Sequence, residues 1–249
     1  NTNGFECYAV GGSVRDLLAG KKTGNFDFTT NARPEEIQKL FPDSFYDNAF
    51  GTVGIALSHL YTQFGMTDAI DREEIYEITT FRSEEGYQDK RHPDKIVWGD
   101  SLEVDLKRRD FTINAMAMTI LTNNKKLITD NYLIINSKYL LIDIYGGQKD
   151  IEDKIIRAVG NPSERFGEDA LRMMRAIRFA AEMGFDIEKE TLRAILENSG
   201  LLVHISRERI RDELLKILKS PFPYEGLMFL HNTKLLSHIL TEIEACLTV

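Results

Sequence analysis

Tyr8 to Thr30 reads YAVGGSVRDLLAGKKTGNFDFTT, and the rest of the chain is arranged around it. Cys7-Tyr8-Ala9-Val10 is a short apolar run of strand formers. Gly11-Gly12 then allows a sharp backbone turn without a Cβ penalty. Ser13 is placed to cap a helix whose apolar positions Val14, Leu17 and Leu18 recur at helical spacing. A glycine turn that opens a helix presents free backbone N–H groups at its positive end, which suits a phosphate. After Gly20 and Lys21-Lys22, Phe26 and Phe28 alternate with Asn25 and Asp27. In a strand this puts Asn25 and Asp27 on one face, roughly 6.5–7 Å apart. Two oxygen-bearing side chains at that spacing, facing a phosphate-holding turn, suit Mg²⁺ ions over a triphosphate. A glycine pair before a helix is a common turn, and one aspartate can merely end a strand. Their combination within one short span carries the weight.

GGSVRD followed by DFTT resembles the signature of the class II tRNA nucleotidyltransferase and bacterial poly(A) polymerase family, within the DNA polymerase β superfamily. That family carries Asp-x-Asp where this chain has Asn25-Phe26-Asp27, so the first carboxylate is replaced by a neutral amide. Two further stretches match the family nearly literally: RRDFTINA, from Arg108, and EDALRMMRAIRF, from Glu168.

Composition narrows the alternatives. The chain has 249 residues, 43% of them hydrophobic, with room for one large domain or two small ones. No apolar run approaches membrane-spanning length, and no signal-peptide pattern is present. The first residue is Asn1 rather than Met, which reads as a trimmed N-terminus. Two cysteines, Cys7 and Cys246, lie far apart in apolar settings, so the cytoplasm is the natural compartment. A formal net charge of −8 argues against a generally basic nucleic-acid coat and leaves RNA contact to local basic clusters. The five histidines show no paired metal-ligand spacing, which speaks against a zinc enzyme. Gly20-Lys21-Lys22 lacks the Gly-Lys-Ser/Thr order of a P-loop.

Along the chain, PEEIQKL from Pro34 predicts a short amphipathic helix with Pro in its first turn. Residues 50–57 read as a strand whose glycines admit a neighbouring backbone, residues 61–74 as a loop, and Ile75 to Phe81 as a clear strand. Glu77 in that strand either points to solvent or joins the Asn25/Asp27 cluster. The resemblance implies a third acidic residue of the catalytic sheet at Glu77. Residues 82–98 are polar and aperiodic and read as a functional loop. Residues 123–145 read as an extended β-hairpin, and Gly146-Gly147 as a domain boundary. Residues 157–162 read as a linker, 165–183 as one helix, 206–218 as another with Ile210, Leu214, Ile217 and Leu218 inward, and 235–247 as a last one. On the 165–183 helix, Ala170, Met173, Met174, Ile177 and Ala181 form an apolar stripe opposite Glu168, Arg172 and Arg175. A solvated face with an ordinary Glu168–Arg172 pair would account for that polar side.

The expected fold is α+β: a nucleotidyltransferase head over residues 1–145, with a small mixed, largely antiparallel sheet and flanking helices, then an all-helical neck over residues 146–249. The resemblance implies catalytic and metal-holding roles for Asp27, Asn25 and Glu77, with Mg²⁺ or Mn²⁺ as cofactor. It implies nucleotide-binding roles for Gly11, Gly12, Ser13, Arg15, Arg109, Asp110, Asn114, Asp169, Arg172, Arg175 and Arg178. Arg109 would meet the phosphates, and Asp110 the ribose or a neighbouring Arg. Asp169 and Arg172 would read the base: a carboxylate accepts from the exocyclic amino group of C or A, and Arg donates to ring acceptors. The implied activity is template-independent addition of CTP- and ATP-derived nucleotides to the tRNA 3′ end. A poly(A) polymerase of the same family is one alternative. A catalytically impaired RNA- or nucleotide-binding module, motivated by Asn25, is the other. Family members usually continue into further helical RNA-binding regions, so a truncated chain is expected.

Overall fold

The computed structural model describes residues 3–23, 26–47, 51–64, 74–85, 95–99, 101–121, 132–135 and 138–242. Asn25, the 65–73 part of the 61–74 loop, and Leu127-Ile128 lie outside them. Two compact units emerge: residues 1–83, 96–109 and 114–148 form the first, and residues 84–95, 110–113 and 149–249 the second.

The first unit is built on one sheet. Its strands are β1 (Cys7–Val10), β2 (Asp27–Thr30), β3 (Phe45–Asp47), β4 (Thr52–Ala56), β5 (Ile75–Thr80), β8 (Met116–Ile120), β9 (Tyr132–Ile135) and β10 (Tyr139–Asp143). Two short strands, β6 (Arg82–Glu85) and β7 (Lys95–Trp98), fall where the sequence predicts an aperiodic loop. The eight-stranded order is β3-β4-β5-β2-β1-β8-β10-β9, and only β2–β5 runs parallel. The helices are α1 (Gly12–Leu18), α2 (Pro34–Leu40), α3 (Leu57–Phe64) and α4 (Leu102–Lys107).

Register assigns the faces, because directly paired residues share one. Val10 pairs with Asp27, Asp27 with Glu77, and Glu77 with Gly54. On this face Tyr8, Val10, Ala117, Leu140 and Ile142 are buried with Phe81 and with Leu102 and Leu106 of α4. Each such fully buried aliphatic side chain contributes roughly 1.5–3 kcal/mol. On the opposite face Val53 and Ile55 pack with Ala32 and Ile37, the latter from α2. Leu60 packs against the same cluster, which accounts for helix α3 running through Tyr61–Phe64 where the polar sequence predicts a loop. Gly54 of β4 and Gly51 just before it make room for rings rather than backbone. A Cβ on Gly54 would stand 2.2 Å from the Phe45 ring, and one on Gly51 2.1 Å from Trp98.

The second unit is mostly helical: α5 (Gly147–Glu152), which begins in the first unit's last residues, then α6 (Pro162–Glu168), α7 (Leu171–Met183), α8 (Lys189–Asn198), α9 (Arg207–Leu218), α10 (Pro223–Asn232) and α11 (Leu235–Ile239). It is not entirely so. The parallel strands β11 (Ile155–Ile156) and β12 (Asp186–Ile187) pair beside α7. The 157–161 stretch, which reads as a linker, is pinned. Thr112 N–H donates to the Arg157 carbonyl at 2.9 Å, and Val159 N–H to the Asp110 carbonyl at 3.0 Å. The predicted 165–183 helix breaks at Asp169, whose backbone is extended (φ −141°, ψ 105°). Its carboxylate accepts from the Leu171 N–H at 3.0 Å, satisfying one of the free N–H groups at the start of α7. The α7 stripe of Met173, Met174, Ile177 and Ala181 is fully buried, as is Ala170 just before it. Leu218, predicted to face inward on α9, is 43% exposed. None of the described helices is long and apolar enough to cross a membrane.

A buried ion pair ties α7 to α9. Arg178 Nε meets Glu213 Oε2 at 2.9 Å, with side-chain exposures of 13% and 6%. Burial pushes the Arg178 pKa down, and the Glu213 charge opposes this only in part. Removing one partner of such a pair strands the other charge. Glu213→Ala should therefore cost about 3 kcal/mol, the low end of the usual range. The Phe179 ring, 4.3 Å from the guanidinium, and Glu182 remain to soften the loss. The urea midpoint, at unchanged m-value, measures it. A loss below about 1 kcal/mol would place this pair with ordinary surface bridges.

Candidate active site

The site forms where β1 ends. Gly11 has φ 73° and ψ −139°, a combination essentially restricted to glycine, and it turns the chain from β1 into α1. A Cβ at Gly11 would stand 3.3 Å from Arg109 Nη1 and 3.6 Å from Asp27 Oδ2. The bare α-carbon relieves the approach of Arg109, while Asp27 would be at ordinary van der Waals distance from such a Cβ. At Gly12 a Cβ would meet the Arg15 guanidinium at 3.5 Å.

Ser13 does not cap α1. Gly11 is the N-cap residue and provides no side-chain cap, while the buried Ser13 hydroxyl donates back to the Val10 carbonyl at 3.0 Å. With only seven residues, α1 also supplies little aligned dipole. The positive charge at the turn comes from side chains instead. Arg15 donates to Asn114 Oδ1 at 2.9 Å and to Asp16 Oδ1 at 2.9 Å. Arg109 reaches Gly11 from the end of α4.

Asp27 and Glu77 are partners across the parallel β2–β5 pair, so their side chains stand on one face of adjacent strands. Both are exposed, although β5 lies between β4 and β2. Of the two expectations for Glu77, solvent or the Asp27 cluster, the structure shows it both exposed and in register with Asp27. The surrounding protein thins the water around Asp27 and raises its pKa, with the Arg109 charge working against that rise. Asn25, two residues before Asp27, lies outside the described residues. Among the described residues no three His, Cys, Asp or Glu side chains converge as a ready-made metal cage. Paired carboxylates of this kind suit a hard cation that also takes ligands from a substrate and from water.

Asp105 is a residue the sequence reading passed over. It is fully buried on α4 and accepts from Arg108 Nε and Nη2 at 3.0 and 2.7 Å, and from Arg109 Nη2 at 3.1 Å. Burial alone would raise its pKa, but the Arg108 and Arg109 charges outweigh that and hold the carboxyl below its usual range. The signal was available as spacing: Asp105 precedes the two arginines by three and four residues.

The second unit gathers the other predicted positions. Asp110 pairs with Arg175, whose Nη2 and Nε lie 2.6 and 2.9 Å from Asp110 Oδ2. That attraction pushes the Arg175 pKa up. Arg178 pairs with Glu213, as described. Asp169 and Arg172 do not pair with each other. Asp169 Oδ2 accepts from Arg209 Nη2 at 2.7 Å, while Arg172 donates to Glu168 and, at 3.2 Å, to the Arg165 carbonyl. Arg209 and Glu213, four residues apart on α9, thus hold two of the predicted positions. The sequence shows α9 only as a packing helix.

Gly11→Ala tests the corner. The strained conformation alone costs roughly 1–3 kcal/mol, and the added methyl pushes on Arg109. Gly12→Ala meets only the movable end of Arg15 and has ordinary φ, so it should cost far less. Thermal unfolding of the two variants reads the difference. Equal melting points would remove the argument for a glycine requirement at position 11.

A largely antiparallel sheet with adjacent carboxylates beside a glycine turn defines a nucleotidyltransferase head. Residues 7–157 match the family described as Poly A polymerase head domain, so the chain belongs to that family. Residues 184–247 match a second family, described as the probable RNA and SrmB-binding site of polymerase A. A CCA-adding enzyme of Geobacillus thermodenitrificans is 40% identical over 239 residues, 96% of this chain and 52% of that protein. The crystal structure of the Bacillus stearothermophilus CCA-adding enzyme in complex with CTP is 36% identical with a TM-score of 0.77, covering 98% of this chain and 52% of that one. The Thermotoga maritima CCA-adding enzyme complexed with tRNA is 27% identical with a TM-score of 0.70, covering 97% and 50%. This chain therefore spans about half the length of the relatives it matches.

Proposed function

We propose that the protein is a template-independent tRNA nucleotidyltransferase that adds C and A nucleotides, drawn from CTP and ATP, to the tRNA 3′ end. The observation that carries this is the Asp27–Glu77 register beside the Gly11 turn and Arg109. The likeness to CCA-adding enzymes with CTP and with tRNA supports the choice of substrates. The division into a head over residues 1–145 and a neck over residues 146–249 belongs to the same reading. So does a cytoplasmic setting, which the free Cys7 thiol supports.

Asp27 and Glu77 are the residues that would hold Mg²⁺ or Mn²⁺, with the Asn25 amide oxygen as a neutral third donor. Bound there, such an ion would neutralise triphosphate charge and make the RNA 3′-hydroxyl a better nucleophile. Arg109 and Arg15 hold and orient the phosphates at the glycine turn, Arg109 through Nη1. Asp110 acts by fixing Arg175. Asp169 and Arg172 present an acceptor and donors to the base, a pattern that fits C and A and refuses G and U. The 3′-hydroxyl gives its proton to solvent as its oxygen attacks the α-phosphorus, the bond from that phosphorus to the bridging oxygen breaks, and pyrophosphate leaves with the electron pair.

The test is incubation with Mg²⁺, CTP, ATP and tRNA lacking its 3′-terminal CCA, followed by pyrophosphate assay and sequencing of the RNA ends. Terminal C and A residues are the expected product. Long A tracts would instead favour a poly(A) polymerase. Nucleotide binding without pyrophosphate release would favour the impaired module that Asn25 suggests.

A further inference from the structure

We infer that Asp105 is a positioning residue for the triphosphate: its buried carboxylate holds Nη2 of Arg109 so that Nη1 faces the Gly11 turn. This rests on the proposed nucleotidyltransferase reading of that corner. Asp105 has no access to solvent, and a carboxylate so placed needs charged partners. It has two. Arg108 forks onto Oδ1, and Arg109 gives only Nη2 to Oδ2. Nη1 is the group left at the site: it stands 3.3 Å from where a Gly11 Cβ would lie, while Nε is buried away from solvent.

Charge and geometry give the tether its purpose. With Nη2 held by Asp105, Nη1 of Arg109 is kept toward the Gly11 turn, where the proposed phosphate would lie. A guanidinium prefers a two-pronged grip on a carboxylate. The carboxylate that shares the Gly11 corner with Arg109 is Asp27. An untethered Arg109 would close onto Asp27 and occupy the oxygens that the proposed site needs. Asp105 prevents this by satisfying one prong inside the protein.

The experiment measures affinity for Mg²⁺·CTP and for CMP by calorimetry, in the wild type, Asp105→Asn, Arg109→Ala and the double variant. Both single changes should weaken CTP roughly tenfold, the scale of one charged hydrogen bond, while CMP changes far less. The double variant should bind CTP no worse than Arg109→Ala, because Asp105 acts through Arg109. A merely structural Asp105 would weaken CTP and CMP alike, or would keep its full effect in the Arg109→Ala background. Either result overturns the inference, as does wild-type CTP affinity in Asp105→Asn. Should Asp105→Asn fail to fold, Arg109→Lys decides. It keeps the charge but cannot span Asp105 and the turn, so it should lose CTP affinity nearly as far as Arg109→Ala, and wild-type affinity overturns the inference. Unchanged CTP affinity in Arg109→Ala is a different failure. It removes the phosphate-holding reading of the corner itself, and the positioning role falls with it.

Discussion

Glu77→Gln is expected to lower nucleotide addition by on the order of a hundredfold or more while leaving the melting temperature nearly unchanged. Glu77 is exposed and in register with Asp27, so its charge is not part of the buried core. Asn25 already lacks the charge that the family's first Asp would bring, leaving two carboxylates at the corner. Losing one of two should remove several kcal/mol of charge stabilisation, which converts to a rate loss of that size. The converse change, Asn25→Asp, should raise turnover, and Mn²⁺ should support the unmodified chain better than Mg²⁺, being less strict in its ligands. The deciding measurement is initial rate against metal concentration. If Glu77→Gln leaves that curve where it was, Glu77 is a surface carboxylate and the site rests on Asp27 alone.

Arg172→Ala should relax base choice by about 10–100-fold, the range for loss of a two-pronged base contact, with little change in triphosphate affinity. The phosphates would be held by Arg109 and Arg15, which belong to the first unit, whereas Arg172 stands at the start of α7. Arg172 is anchored by Glu168 and the Arg165 carbonyl, and Asp169 by Arg209 and the Leu171 N–H. The two residues are thus fixed independently, so removing Arg172 leaves Asp169 in place. Competition of CTP with UTP and GTP gives the readout. Unaltered exclusion of UTP and GTP would mean that this helix start is a solvated face with internal ion pairs and no part in selection.

The sequence by itself determined the turn, the strand after it and the helical remainder. Gly11 stands between an apolar strand and a helix, and no other residue makes that turn as readily. The α7 stripe was legible because every fourth or third residue is apolar, and burial follows that period. What only the tertiary structure decided depends on contacts between residues distant in sequence. The Asp27–Glu77 register spans fifty residues and follows from β5 joining β2 in parallel, which local periodicity does not encode. The break at Asp169 looks like continuous helix in sequence, and arises because Arg209, forty residues on, helps hold its carboxylate. Residues 157–161 read as a linker because they lack periodicity, yet residues 110–112 supply the backbone partners that hold them straight. Asp105 sits in an intermediate position. Its spacing to Arg108 and Arg109 was visible, but its burial, which turns an ordinary helix ion pair into a fixed anchor, comes from the sheet packed against Leu102 and Leu106.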